Sequence, residues 1–394
     1  MRVAFVVQRY GEGVAGGAEA LCRATARALA ARGDEVEIYT TTARDYLTWA
    51  PHFAPGTERD GDVVVHRFPA EPPDPSRSAA LVRRLSLAGG GDAAEERAWA
   101  LAQGPVAPGM LRALAGARAR HEALALWTYL YATSQLALPL ARERSVLVPL
   151  AHDEPMLRFA LSRGLVRMAA GLAFMTPEER RLVDDLHGIR GRPEAIVGAG
   201  LDPAPAGDGA RARARLAALP PRFALYVGRV DAAKGLDALV RAHARYRAAG
   251  GSLALVLAGR PAGQLALPAW VRTTGFVDEA TRADLLDAAE VVVVPSANES
   301  LSLLALEAWG AGRPTLATAR SDVLAGQTAR SGGGLLYTDD LTYARQLSRL
   351  AADPRLREAL GGMGRRWVAG QTWDACARRW RGLLARVRRP LAAR

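Results

Sequence analysis

The sequence predicts two doubly wound α/β domains in tandem, and three observations carry that prediction. Short runs rich in Val, Leu and Ala recur along the 394 residues, helical stretches of Ala, Leu and Arg separate them, and the alternation restarts after Leu201-Asp202-Pro203-Ala204-Pro205-Ala206-Gly207-Asp208-Gly209. Short apolar strands separated by helical stretches of about 10–15 residues indicate βαβ units around a parallel sheet buried on both faces. With 49% hydrophobic residues, the chain has ample material for ordinary globular cores.

In the first half, Arg2-Val3-Ala4-Phe5-Val6-Val7 reads as a strand, Gly11 to Gly17 as a glycine-rich turn, and Glu19 to Arg32 as a helix. Glu35 to Thr40, Val63 to Phe68, Ala123 to Trp127, Ser145 to Pro149 and Gly171 to Met175 give further strands. Between about Glu71 and Gly109 the composition shifts to Pro, Gly and charge around a helical centre near Ala93 to Ala102, as expected of an insertion shaping a binding mouth. In the second half the strands are Phe223 to Val227, Ser252 to Leu257, Val291 to Val294 and Pro314 to Ala317. Helices are expected up to Ala249, over Glu279 to Ala289, and from about Ser302 to Gly310. The domains are placed at 1–203 and 204–372, with a basic C-terminal helix, 373–394, packing back on the N-terminal domain. Paired sheets of this kind bind ligands at the carboxyl ends of their strands.

A net charge of +12 favours anionic partners, and the arginine-rich stretches at Arg77 to Arg84, Arg112 to Arg120 and Arg378 to Arg394 suit either solvated helix faces or an anionic membrane surface. No finger, RNP-like or basic-zipper pattern accompanies them, so nucleic acid is not an expected partner. The sequence has no apolar run of about 18 residues and no signal-peptide pattern at its start, so a soluble cytoplasmic protein, with possible peripheral membrane contact, is expected. Cys22 and Cys376, far apart and without paired spacing, read as apolar filler.

Of the 52 Lys and Arg residues one alone is lysine, Lys234, in the turn Gly228-Arg229-Val230-Asp231-Ala232-Ala233-Lys234-Gly235 that follows a strand. An ammonium is a compact point charge and a guanidinium a flat fork, and a crowded diphosphate pocket distinguishes the two. The single asparagine, Asn298, lies in a second such turn, Pro295-Ser296-Ala297-Asn298-Glu299-Ser300, where helix capping explains it. Arg229 and Lys234 supply fixed positive charge, and the helix start at Ser300, Leu301, Ser302 and Leu303 offers backbone N–H groups to a bound anion. Glu307, two turns into that helix, suits paired hydroxyls such as those of a ribose, and Glu299 suits another polyol.

The run from Pro295 through Glu299 and Glu307 to Thr318 resembles the E-x7-E signature of retaining GT-B glycosyltransferases of the family 4 type, and the lysine turn is similar to their G-R-x4-K-G element. The resemblance covers nearly the whole chain, strongly after Phe223. It implies two Rossmann-like domains facing across a cleft and transfer of a hexose-type sugar from a nucleoside diphosphate to an acceptor hydroxyl with retention. It further implies that Gly228, Arg229 and Lys234 hold the diphosphate, Glu307 the ribose, Glu299 the sugar, and the segment Gly275-Phe276-Val277 the base. In the first domain, Gly16 and Gly17 resemble the family's glycine-rich loop, and His152 matches a histidine near the transferred sugar. His66, His121, His187 and His243 are read as structural. Ser300-Leu301-Ser302 stands where many members have Gly-Phe-Gly, which leaves the donor sugar open. Asp60-Gly61-Asp62 reads as a turn, and neither a metal nor another cofactor is expected. Acceptors in view are sugar, lipid-linked or natural-product hydroxyls, in cell-surface polysaccharide or glycoconjugate synthesis. A sugar-nucleotide epimerase and a non-catalytic nucleotide-sugar-binding scaffold are the competing readings.

Overall fold

A computed structural model describes residues 1–14, 16–117, 120–202, 206–216, 218–260 and 266–388. The chain forms two compact units, one comprising Met1–Gly200 and the segment from Trp373 onward, the other Leu201–Thr372.

The first unit is built on eight strands: β1 (Arg2–Val6), β2 (Glu35–Thr41), β3 (Gly56–Asp60), β4 (Val63–Phe68), β5 (Ala123–Trp127), β6 (Ser145–Val148), β7 (Gly171–Phe174) and β8 (Glu194–Ile196). Their order is β3-β4-β2-β1-β5-β6-β7-β8. All neighbours run parallel except β3 against β4, which form a hairpin turning at Gly61. Every residue of β5, β6 and β7 is buried, as a sheet covered on both faces requires. The polar edge strand β3, Gly-Thr-Glu-Arg-Asp, is largely exposed and carries no apolar alternation by which sequence reading could find it.

The segment expected as an insertion is a pair of packed helices, Pro75–Ala88 and Ala93–Gln103. Asp74 and Asp92 cap them, and Asp92 and Glu95 form a reciprocal capping box. Leu85, Trp99 and Phe159 bury the inner face of this pair.

The helix Trp373–Val387 belongs to the same unit. It buries Cys376, Trp380, Leu383 and Leu384, and the Trp380 ring lies 5.7 Å from Phe5 and 6.0 Å from Trp127. Arg379 donates to the Val197 carbonyl at 2.8 Å, Arg381 to the Arg32 carbonyl at 3.0 Å, and Arg386 to the Glu194 carbonyl. These guanidiniums tie the helix to its own unit. Their stems and the apolar stripe beneath do the packing, each large buried side chain contributing about 1.5–3 kcal/mol.

The second unit has six strands: β9 (Phe223–Val227), β10 (Ala254–Ala258), β11 (Arg272–Gly275), β12 (Val291–Val294), β13 (Thr315–Thr318) and β14 (Gly334–Tyr337). Their order is β11-β10-β9-β12-β13-β14, with every pair parallel. From β9 the chain winds to β10 and β11 on one side, then crosses to β12 and onward on the other. The strand order therefore reverses between β9 and β12, and a doubly wound sheet binds its ligand at the carboxyl ends flanking such a reversal.

Candidate active site

The two turns singled out in the sequence leave the sheet on either side of this reversal. After β9, Gly228 donates its N–H to the Ala258 carbonyl at 2.9 Å, and Asp231 caps a single 3₁₀ turn by accepting from the Lys234 N–H at 3.0 Å. Gly235 closes that turn at φ 75°, and a Cβ there would stand 2.5 Å from the Pro295 carbonyl oxygen. Only glycine satisfies both the left-handed backbone and this close approach. The consequence is that the lysine turn rests directly on the start of the turn that follows β12.

That contact brings the Lys234 Nζ to 3.1 Å from Glu299 Oε1, with the lysine side chain 35% exposed and the carboxylate more enclosed. Arg229 pairs with Asp231, and its side chain stays 42% exposed. Both cations are thus held by carboxylates but open to an incoming anion. Glu307 pairs with Arg282 of the helix Glu279–Ala288, a partner that sequence reading did not find. Burial lowers the Arg282 pKa. Val277 is half-buried beside this helix, while Phe276 is exposed, with the Arg260 guanidinium 4.7 Å above its ring.

The helix after β12 spans Leu303–Gly310. Ser302, not Asn298, is its cap: the Ser302 hydroxyl accepts from the Ala305 N–H at 3.3 Å. Asn298, expected to cap this helix, does not, because it lies too far before the first helical turn. The Ser302 N–H is taken by Gln327 Oε1 at 2.9 Å, so within this turn the Ser302 amide serves the fold. The amides of Leu303 and Leu304 lack intrahelical acceptors, as at any helix start, and carry the positive end of the helix dipole. Ser300 is buried and Leu301 half-buried, between Glu299 and the cap.

In the first unit, the helix Gly17–Ala30 begins after Gly16, where a Cβ would meet Glu19 Oε2 at 2.0 Å. Glu19 is 4% exposed, accepts from Gln8 Nε2 at 2.8 Å and pairs with Arg9, which locks the helix start to the end of β1. Gly17 meets nothing within 4 Å. His152 lies in the loop after β6, 27% exposed, with Nδ1 3.7 Å from Glu154 Oε1, and Glu154 in turn accepts from the Tyr129 hydroxyl.

Two non-glycine residues near these strand ends have left-handed backbone, Thr128 (φ 63°) and Leu150 (φ 51°). Such conformations cost about 1–3 kcal/mol each and gather where a site demands them. The other histidines named above are structural: His66 and His121 both reach the Glu37 carboxylate at 3.1 Å, His187 is 3% exposed, and His243 bonds to Tyr343 and the Leu253 carbonyl inside the core.

One buried carboxyl escaped the sequence reading because Thr176-Pro177-Glu178-Glu179 looks like an ordinary capping box. Glu179 is 1% exposed, and burial pushes it up to about 7 from the ordinary 4.5. Between those values the folded chain holds a proton that the unfolded chain has released, so stability present at low pH is lost as pH rises through this interval. The loss is complete above about 7 and amounts to about 3 kcal/mol. Urea titrations at pH 5 and pH 8 are expected to show this slope in the native protein and a shallower one in Glu179→Gln.

Two units, each a largely parallel sheet flanked by helices, are the architecture of GT-B glycosyltransferases, and comparison with known proteins agrees. Residues 221–353 match the family described as glycosyl transferases group 1. A D-inositol 3-phosphate glycosyltransferase from Actinosynnema mirum is 30% identical over 93% of this chain and 91% of its own. Among solved structures, sucrose-phosphate synthase from Thermosynechococcus elongatus superposes with a TM-score of 0.73 at 20% identity, covering 98% of both chains. Anabaena HepE, in complex with UDP and glucose, superposes with a TM-score of 0.69 at 15% identity over 98% of this chain and 99% of its own. The chain belongs to the group 1 glycosyl transferases.

Proposed function

We propose that this glycosyltransferase moves a hexosyl unit from a nucleoside-diphosphate sugar to an acceptor hydroxyl with retention of configuration and without a metal, in the synthesis of a cell-surface polysaccharide or glycoconjugate. The observation that carries the reading is the meeting of Lys234 with Glu299 across the strand reversal, beside Arg229 and the helix start at Leu303. Lys234 and Arg229 suit a diphosphate, Glu299 the hydroxyls of the transferred sugar, and Glu307 those of the ribose. His152, Gly16 and Gly17 keep the roles that the family resemblance implies. The UDP in the Anabaena HepE complex makes a uridine diphosphate sugar the first donor to test, and the Actinosynnema relative's name points to a phosphorylated polyol as the first acceptor.

In the proposed reaction the acceptor oxygen bonds to the anomeric carbon on the face from which the diphosphate leaves. The bond from that carbon to the β-phosphate oxygen breaks, and the acceptor proton passes to this oxygen. Lys234, Arg229 and the Leu303 and Leu304 amides stabilise the charge that develops on the leaving group, the task a divalent ion performs in other enzymes. A proton NMR time course is expected to show an α-linked product from an α-linked donor at a rate unchanged by EDTA. A β-linked product would refute retention, and conversion of the donor without acceptor would favour the epimerase.

Among the described residues no helix is long and apolar enough to cross a membrane. We assign contact with the membrane of a lipid-linked acceptor to the helix Pro75–Ala88, where Leu87 is 82% exposed and Arg77 and Arg83 are also exposed. The protein is expected to sediment with phosphatidylglycerol vesicles and not with phosphatidylcholine vesicles. Leu87→Glu is expected to abolish this, and unchanged sedimentation of that variant would remove the helix from the contact.

A further inference from the structure

We propose that Glu179 is a positioning residue for transfer, fixing from inside the core the strand end that carries His152. Glu179 sits in the first turn of the helix Pro177–His187, just after β7, yet its carboxylate points back across two strand ends. Oε1 accepts from the Ala151 N–H at 2.7 Å and Oε2 from the Met175 N–H at 2.6 Å. Ala151 immediately precedes His152, and Met175 immediately follows β7. One side chain thus clamps the exits of the adjacent parallel strands β6 and β7.

The clamp acts where the backbone is least comfortable. Leu150, next to the clamped amide, holds φ 51° despite its bulk, and Thr128 at the end of neighbouring β5 holds φ 63° while donating its N–H to the Val148 carbonyl at 2.9 Å. A left-handed residue is kept in place only when its surroundings over-determine it. Two short hydrogen bonds to a carboxyl group that water does not reach supply that determination.

Burial penalises the ionised form of this carboxylate. An apolar side chain here would leave the Ala151 and Met175 amides without this acceptor, and an amide would turn its NH₂ group against one of them, so the position calls for a carboxyl group. The titratable groups that act on it are His152 in the loop after β6 and Tyr129 after β5, and Glu154 in turn contacts both of these. Through the Ala151 amide, Glu179 sets where the His152 backbone leaves the sheet, while Glu154 approaches the imidazole from its Nδ1 side. The inference rests on the reading that His152 serves the transferred sugar.

Glu179→Gln keeps the volume and one acceptor oxygen but sets an NH₂ group against one of the two N–H donors. A shift of about 1 Å at a catalytic group costs on the order of 100-fold in rate. Release of nucleoside diphosphate from UDP-glucose, or from whichever UDP, GDP, ADP or TDP sugar proves to be turned over, reads the effect. For Glu179→Gln a kcat lowered at least about 10-fold is expected, with donor KM and nucleoside-diphosphate affinity unchanged. The double variant with His152→Ala should be no slower than His152→Ala alone, because residues acting as one unit do not add. Native-state hydrogen exchange should show the Ala151 and Met175 amides losing protection while the β9 and β12 amides keep theirs. An impaired His152→Ala beside a Glu179→Gln of full kcat, or losses that multiply in the double variant, would overturn the role of Glu179. A His152→Ala of full kcat would instead overturn the reading of His152 on which the inference stands.

Discussion

Lys234→Ala is expected to abolish sugar transfer in a protein that stays folded. The side chain makes one ion pair, to Glu299 at 3.1 Å, and is about one-third exposed, so its loss removes little from the fold. The turn itself is held by the backbone: the residue 234 N–H to Asp231, the left-handed Gly235, and the contact of Gly235 with Pro295. All three survive in alanine. What disappears is the compact cation assigned to the leaving diphosphate, and removing one such group typically costs about 10²–10³ in kcat. Lys234→Arg is not expected to restore the rate, because a planar fork does not occupy the space of an ammonium. Steady-state kinetics with circular dichroism of both variants checks this, and normal turnover by a folded Lys234→Ala protein would remove the lysine from the site.

The second large effect is expected on donor affinity. Glu307→Ala should raise donor KM by about 10- to 100-fold, the equivalent of one hydrogen bond to a charged acceptor, with a smaller change in kcat. The structure adds a complication the sequence did not contain. Glu307 already pairs with Arg282, so the single variant also leaves that guanidinium without its carboxylate. Arg282→Leu separates the two effects. If Glu307 binds the donor directly, Glu307→Ala stays impaired in the Arg282→Leu background. A donor KM unchanged by Glu307→Ala would take the carboxylate out of the ribose site.

The parts of this protein legible in its sequence are those where local chemistry and global fold demand the same residues. The central strands are continuous apolar runs because parallel sheets are covered on both faces. The lysine turn and the E-x7-E spacing were visible because a strand, a glycine and a charged residue must follow in order. What could not be read shares a different feature. The edge strand β3 is polar, and β8 spans only Glu194–Ile196, so neither shows the alternation that reveals a half-buried strand. Arg282, Gln327 and Glu179 matter through partners distant in sequence: Arg282 through Glu307, Gln327 through the Ser302 amide, and Glu179 through Ala151. Asn298 suits a cap by type and position, whereas the register of the helix start gives that role to Ser302. The arginines of the last helix looked like a charged face, yet three of them end on backbone carbonyls of the unit they pack against.

Whether Lys234 holds a diphosphate is tested by calorimetric titration of the native protein and Lys234→Ala with the nucleoside diphosphates UDP, GDP, ADP and TDP and their monophosphates. One diphosphate is expected to bind the native protein at least about 10-fold more tightly than its own monophosphate, and this preference to collapse in Lys234→Ala while monophosphate binding persists. Equal binding of diphosphate and monophosphate by the native protein, or a preference that Lys234→Ala leaves intact, would contradict it.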